Sequence, residues 1–266
     1  MYAASDVVAR DVHERIGGAH LLLLTDYDGT LAEIAPTPDE AVVSPDVHRE
    51  VVHLAALSDV TFGVVSGRRL TDVRERVGPA AEFAAGLHGL EIVGPGCRFH
   101  HEALDPLVPV IAEIAAEAAH DLAWCPGVYL ENKIYALTCH VRRVPAELAP
   151  RAIDEFREIA APYLEDGVLK SLAGTKALEL LPAVSWHKGR AAVWIRARVE
   201  ERVAGPIAIV YLGDDRTDED AFDALGERDV VIGVGDRPHA HLIDWRLAGP
   251  ASVGRFLGRL ARLRAR

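Results

Sequence analysis

Four short apolar runs along the chain each give out into glycine or polar residues: HLLLLT before Asp26, VTFGVVSG, PIAIVYLG and DVVIGVG. Runs of this length with no polar alternation belong to strands covered on both faces, as in a parallel sheet. The segments between them carry helical spacing. SPDVHREVVHLAAL opens on Ser44-Pro45, a hydroxyl cap followed by a first-turn proline. HKGRAAVWIRARVEE and TDEDAFDALGE have the same character, and MYAASDVVARDVHERIGG reads as an amphipathic helix. This alternation predicts an α/β fold with a doubly wound, Rossmann-like parallel-sheet core.

The middle of the chain has another period. LVPVIAEIAAEAAHDL predicts a helix, and YALTCHVRRV then alternates. Tyr135, Leu137, Cys139 and Val141 share one face; Ala136, Thr138, His140 and Arg142 share the other, which marks a strand with one wet face. AELAPRAIDEFREIAAPYL predicts a helix with Pro150 placed to break its first turn, and GTKALELLP alternates again. These elements predict an α+β cap domain inserted at residues 101–182, with residues 1–100 and 183–266 forming the core. In the C-terminal SVGRFLGRLARLRAR, Phe256, Leu257, Leu260 and Leu263 recur at helical spacing, so this basic segment predicts a helix packed on that core.

Composition narrows the partners. The 266 residues carry a formal net charge of −11, which disfavours nucleic acid and anionic membranes. An anionic ligand therefore needs local cations. Three cysteines, Cys97, Cys125 and Cys139, show no CxxC spacing and suggest neither a disulfide framework nor a zinc site. No apolar run approaches the roughly 18 residues of a membrane span, and the N-terminal segment has charges where a leader needs apolar residues. The expectation is a cytoplasmic protein, with a monomer as the simplest state.

Sites in open parallel sheets form beyond the carboxyl ends of the strands. There the sequence places Asp26-x-Asp28-Gly29-Thr30 after the first strand and Ser66-Gly67-Arg68 after the second. GDDRTDED, with Asp214, Asp215 and Asp218, follows the third of the four apolar runs, and Lys188 precedes a helix. Carboxylates from two strand ends can hold one Mg²⁺, a hard ion that prefers oxygen ligands. Asp26 can attack phosphorus, Asp28 can protonate the leaving oxygen and later activate water, and Lys188 with the metal can offset phosphoryl charge. Ser66 and backbone N–H groups near Gly29 can donate hydrogen bonds, and Arg68 can supply a further cation.

These residues resemble the four motifs of the haloacid dehalogenase superfamily of phosphotransferases. With GLHGLE at residues 86–91, ENKIYALTCHVR at 131–142, LELLP at 178–182 and GDDRTDED, the chain resembles the trehalose-6-phosphate phosphatase family over roughly residues 21–235. The resemblance implies hydrolysis of trehalose 6-phosphate with Mg²⁺, Asp26 as nucleophile and Asp28 as acid/base. It also implies metal binding by Asp26, the backbone carbonyl of Asp28, and Asp214, with Asp215 and Asp218 joining the metal shell directly or through water, and phosphate binding by Ser66 and Lys188. Glu131, Lys133, His140, Arg142 and Glu179 match cap positions that bind sugar hydroxyls or help close the site. Strand parity lets His140 and Arg142 face one way together, and Glu179 opposite Leu178 and Leu180. His88 reads equally as a structural hydrogen-bonding residue or a substrate contact.

Plainer readings exist for each piece. Asp28-Gly29 alone is an ordinary turn pair, and GDDRTDED could be a solvated helix start. A calcium loop would want glycine at its sixth position, where Glu219 stands. His100-His101 and Pro238-His239-Ala240-His241 read as loops, and the four tryptophans as packing residues. Rival functions are another sugar-phosphate phosphatase, acting on sucrose phosphate or a glycosyl phosphoglycerate, and a non-catalytic sugar-phosphate sensor. The intact Asp26/Asp28 pair disfavours the sensor, since a binder needs no nucleophile and the extra carboxylate adds repulsion.

Overall fold

A computed structural model of the chain describes residues 2–236 and 243–266. In chain order the elements are α1 (Ser5–Ile16), β1 (His20–Thr25), α2 (Pro45–Ala55), β2 (Val60–Val65), α3 (Leu70–Val77), β3 (Phe83–Gly86), β4 (Glu91–Gly94) and β5 (Cys97–His100). Then come α4 (Val108–Asp121), β6 (Tyr129–Asn132), β7 (Leu137–His140), α5 (Ala149–Ile159), α6 (Ala161–Glu165), β8 (Leu169–Gly174) and β9 (Ala177–Pro182). The chain closes with α7 (Lys188–Glu200), β10 (Ile207–Gly213), α8 (Arg216–Asp223), β11 (Val230–Val234), β12 (Trp245–Leu247) and α9 (Pro250–Arg264). No described helix is long and apolar enough to cross a membrane. Two compact units result: one runs to Phe99 and resumes at Trp186, the other is His100–Ser185.

In the first unit an eight-stranded sheet has the order β12-β11-β10-β1-β2-β3-β4-β5. β12 through β3 run parallel, and β4 pairs antiparallel with β3. The apolar runs behave as doubly covered strands. Leu21 and Leu23 of β1, with Val210 and Leu212 of β10, pack beneath α1, α2, α3 and α9; Leu22, Leu24, Ile209 and Tyr211 pack on the opposite face with α7 and α8. Adjacent residues point to opposite faces, so an uninterrupted apolar run is what two helical layers require. Ser44 caps α2, accepting from Val47 N–H at 3.3 Å with Pro45 in the first turn. Phe256, Leu257 and Leu260 of α9 are buried against α1 and α2, with Leu263 partly so.

The second unit is a four-stranded antiparallel sheet, β6-β7-β9-β8, with α4 and α5 packed on it. Four expectations need correction here. Pro150 lies in the first turn of α5, where a missing N–H costs nothing, so it starts the helix and does not break it. The helical stretch divides at Ala160 because Pro162 has no N–H to offer the Glu158 carbonyl. Gly174 ends β8 and Ala177 starts β9, making GTKALELLP a hairpin tip with Lys176 at φ +62°, not one strand. The supposed wet face is dry at Ala136, just before β7, and at Thr138 within it, which is 4% exposed.

His100 is the last residue of β5, and its ring pairs with Asp105 at 3.0 Å; Pro238–His241 lie outside the described residues. All three cysteines are free thiols. Cys125 and Cys139 are buried in the second unit's core, and burial pushes Cys139 up to about 12; Cys97 on β5 is half-buried.

Leu257 is fully buried between α9 and its neighbours. Leu257→Ala is expected to cost about 2–5 kcal/mol through lost burial and residual cavity. Urea unfolding of the variant should show a lower midpoint with an unchanged slope.

Candidate active site

β1 and β10 are parallel neighbours with Thr25 opposite Leu212, so their carboxyl ends deliver Asp26 and Asp214 to one edge of the sheet. Asp26 N–H donates to Leu212 C=O at 2.9 Å, extending the ladder by one bond. Gly29 then turns the chain at φ +81°, and a Cβ at that position would collide with the Asp214 carboxylate. The turn can therefore lie against Asp214 only as glycine. Thr30 Oγ1 donates to Asp214 Oδ1 at 3.2 Å.

Lys188 opens α7 and is 2% exposed. Its ammonium lies 2.9 Å from Asp26 Oδ1 and 2.7 Å from Asp218 Oδ1. Asp218 is wholly buried and accepts four hydrogen bonds: Lys188 Nζ and Tyr211 OH on Oδ1, and the N–H groups of Asp214 and Asp215 on Oδ2. The last of these belongs to a capping box, with Asp215 as the cap of α8 and Asp218 as its reciprocal partner. The helix start thus holds the lysine that faces Asp26.

Charge in this cluster does not balance. Burial, only partly offset by Lys188, raises Asp26 to about 7, with Asp218 and Asp28 pushing further. Burial and the neighbouring Asp26 and Asp218 raise Asp214 to about 9. Burial works against the charge of Lys188, but Asp218 and Asp26 hold its value well above normal. Carboxylate oxygens of Asp26, Asp214 and Asp218 lie within 4.8 Å of one another. An all-oxygen set with surplus negative charge suits a hard divalent cation such as Mg²⁺.

Beside this group, Ser66 is buried at the end of β2, and its Oγ accepts from Arg68 N–H at 3.3 Å. Arg68, expected among the substrate contacts, instead grips Asp28: Nε to Oδ2 and Nη2 to Oδ1, both at 2.7 Å. His88 lies over the same turn. Its N–H donates to Ser66 C=O at 2.9 Å, and a Cβ on Gly67 would sit 2.8 Å from its ring. Leu87 and His88 both have positive φ, +50° and +57°, a conformation that strains non-glycine residues and persists only where packing imposes it.

The second unit assembles its own polar row. Register places Glu131 opposite Thr138 and Thr138 opposite Glu179, so one line crosses β6, β7 and β9. Lys133 Nζ lies 2.6 Å from Glu179 Oε1 and 3.9 Å from Glu131 Oε2, and His140 Nε2 lies 2.8 Å from Glu131 Oε2. Thr138 Oγ1 donates to Glu179 at 3.3 Å. Burial opposes the charge of Glu131, but His140 and Lys133 bring its carboxyl below the ordinary value. Arg142 lies outside this row; it is exposed and donates to Thr175 C=O at 3.3 Å.

Besides Thr138, three participants were not foreseen in the sequence. Tyr211 reads there as a core strand residue, and its hydroxyl gives no periodic signal. Asp72 had one available, since Arg68, Asp72 and Arg76 recur at i, i+4 and i+8. Thr30 was part of the first motif but had no role beyond it.

A family model described as Trehalose-phosphatase matches residues 24–241. A trehalose-phosphate phosphatase of Mycobacterium marinum is 38% identical over 245 residues, and one of Mycobacterium avium is 34% identical over 259. These alignments cover 89% and 92% of this chain but only 60% and 63% of those proteins, so the chain spans about three fifths of the relatives' length. Among solved structures, the C-terminal domain of Candida albicans trehalose-6-phosphate phosphatase superposes with TM-score 0.80 at 22% identity, covering 98% of this chain and 97% of that one. The C-terminal domain of a Candida albicans trehalose synthase regulatory protein superposes with TM-score 0.69 at 12% identity, covering 97% and 99%. A haloacid dehalogenase-like hydrolase from Bacteroides thetaiotaomicron does so with TM-score 0.62 at 13% identity, covering 91% and 99%. The last three show a shared fold.

Because Asp26 and Asp214 sit above the ordinary carboxylate value of 3.8, folding takes up protons at both. Stability of the metal-free protein should be greatest near about pH 4 on this account and fall as pH rises through the two folded values. Asp214→Asn removes the larger shift. With chelator present, its melting temperature should exceed that of the parent at alkaline pH, the two converging toward about pH 4. Mg²⁺ at 100 times its Kd should add about 2.7 kcal/mol to the parent and much less to the variant.

Proposed function

The chain belongs to the trehalose-phosphatase family, and on that premise we propose that it hydrolyses trehalose 6-phosphate to trehalose and inorganic phosphate. The observation that carries this reading is the pairing of a buried Asp26 with Lys188, beside Asp28 and Asp214 at one sheet edge. A site built only to bind a phosphate ester would gain nothing from that crowding of acids.

Asp26 attacks phosphorus and the bond from phosphorus to the sugar oxygen breaks, leaving an aspartyl phosphate. Asp28 gives its proton to the departing oxygen. It then takes a proton from the water that attacks the aspartyl phosphate, which releases phosphate and restores Asp26. Lys188 and Ser66 bind the phosphoryl oxygens. Asp26, the backbone carbonyl of Asp28, and Asp214 are the ligands we assign to Mg²⁺, which when bound offsets phosphoryl charge. The four hydrogen bonds on Asp218 fill its acceptor positions, so we assign it the anchoring of Lys188 and not direct ligation. Glu131, Lys133, His140 and Glu179 are assigned to the sugar hydroxyls: two carboxylates and two nitrogen groups in a row offer acceptors and donors to a neutral polyol. Arg142 and His88 are assigned outer contacts to the substrate.

Phosphate release from a panel of sugar phosphates tests this. With Mg²⁺ present, trehalose 6-phosphate should be turned over far faster than glucose 6-phosphate, and EDTA should stop both. Sucrose phosphate or a glycosyl phosphoglycerate as the best substrate would move the assignment to another phosphatase; no release from any ester would move it to a sensor. Asp26→Asn should lose on the order of 10³-fold or more in kcat. Glu131→Ala should lower kcat/KM for the disaccharide ester more than for glucose 6-phosphate.

A further inference from the structure

We infer that Arg68 is a positioning residue for Asp28, aiming the carboxylate that exchanges protons with the leaving oxygen, and is not a ligand of the substrate phosphate. The inference rests on the assignment of Asp28 as acid/base made above.

Arg68 is 4% exposed, and four of its five N–H groups have partners within the protein. Nε and one N–H of Nη2 take the two oxygens of Asp28 at 2.7 Å each, the parallel fork that fixes a carboxylate in both direction and rotation. The second N–H of Nη2 reaches Pro38 C=O at 2.7 Å, and Nη1 reaches Asp72 Oδ2 at 2.7 Å. The guanidinium carbon lies 4.9 Å from the centre of the Tyr27 ring. A phosphate ligand at this position would need donors turned toward the substrate, and here they are turned toward Asp28 and the protein.

The clamp is itself fixed from behind. Arg76 Nε lies 2.5 Å from Asp72 Oδ1, and Arg76 Nη1 reaches Ala41 C=O at 3.0 Å, the same carbonyl that accepts from Tyr27 OH at 3.1 Å. Arg68, Asp72 and Arg76 thus form a ladder along α3 and its start, tied at its far end to the segment following the Asp26–Asp28 turn. The backbone of Arg68 is also held: Leu87 N–H donates to Arg68 C=O at 2.7 Å from the strained Leu87–His88 turn. Asp28, by contrast, keeps 39% of its side chain exposed, so the clamped carboxylate stays open to a reacting group. A mere core ion pair would enclose both partners.

The leaving group discriminates the roles. A sugar alkoxide needs a proton to depart, whereas p-nitrophenolate does not. We would compare kcat/KM for trehalose 6-phosphate and p-nitrophenyl phosphate in the parent, Arg68→Ala, Arg68→Lys, Asp28→Asn and the Arg68→Ala/Asp28→Asn double variant. Arg68→Ala should lose on the order of 10- to 100-fold more on the sugar ester than on the aryl ester, Arg68→Lys should recover part of it, and the double variant should match Asp28→Asn alone. Asp72→Asn, which leaves both residues in place, should show the same selectivity in smaller measure and covers the case in which Arg68→Ala fails to fold. An equal loss on both esters, or multiplicative losses in the double variant, would overturn the inference while leaving Asp28 as acid/base. If Asp28→Asn itself lost equally on both esters, the acid/base assignment would fail first and the inference with it.

Discussion

A lysine ammonium withdrawn from water, touching two carboxylates with a third nearby, is the interaction on which the rest of the first unit's site depends. An isolated buried charge would be costly by several kcal/mol. Lys188 is tolerated because Asp26 and Asp218 each lie within 3 Å of it. Holding those two acids requires the rest of the architecture. Asp26 needs the end of β1 laid beside β10, and Asp218 needs the capped start of α8. Gly29 and Gly213 supply the missing side chains: a Cβ on the first would strike Asp214, and on the second Asp218. Even so, burial raises Asp26 and Asp214 far above their ordinary values, and one ammonium against three carboxylates does not bring them back.

The second unit solves a comparable problem differently. Its row of Glu131, Thr138 and Glu179 crosses three strands, and Lys133 and His140 lie against the two acids. The nearly matched charges leave Glu131 shifted downward, opposite to the acids of the first unit. One group is short of positive charge and the other is not.

Much of this was legible in the sequence because the parallel core has a blunt signature. HLLLLT and PIAIVYLG sit between two helical layers, so every residue must be apolar and no alternation obscures the strand. Asp26, Asp28, Asp214 and Lys188 could be placed because they follow such strands or open a helix. The second unit was less legible. Thr138 reads as a residue on a wet strand face, yet it is buried, as is Lys133, and both satisfy Glu179. Pro162 and the Gly174–Lys176 tip each interrupted a run, and the proline and the glycine were the signals there to read. Arg68 shows the limit most clearly. Its position was readable and its direction was not, since that depends on Asp28 and Asp72 arriving from elsewhere in the chain.

The cysteines have a practical consequence. Cys125 and Cys139 lie inside the insert's core, where an alkylating reagent cannot reach the sulfur without local opening. Cys97 alone has partial access, and it sits on β5 two residues before the boundary at Phe99. The chain thus brings its own attachment point for a fluorophore or spin label, on the first unit's last strand before the insert, without mutagenesis.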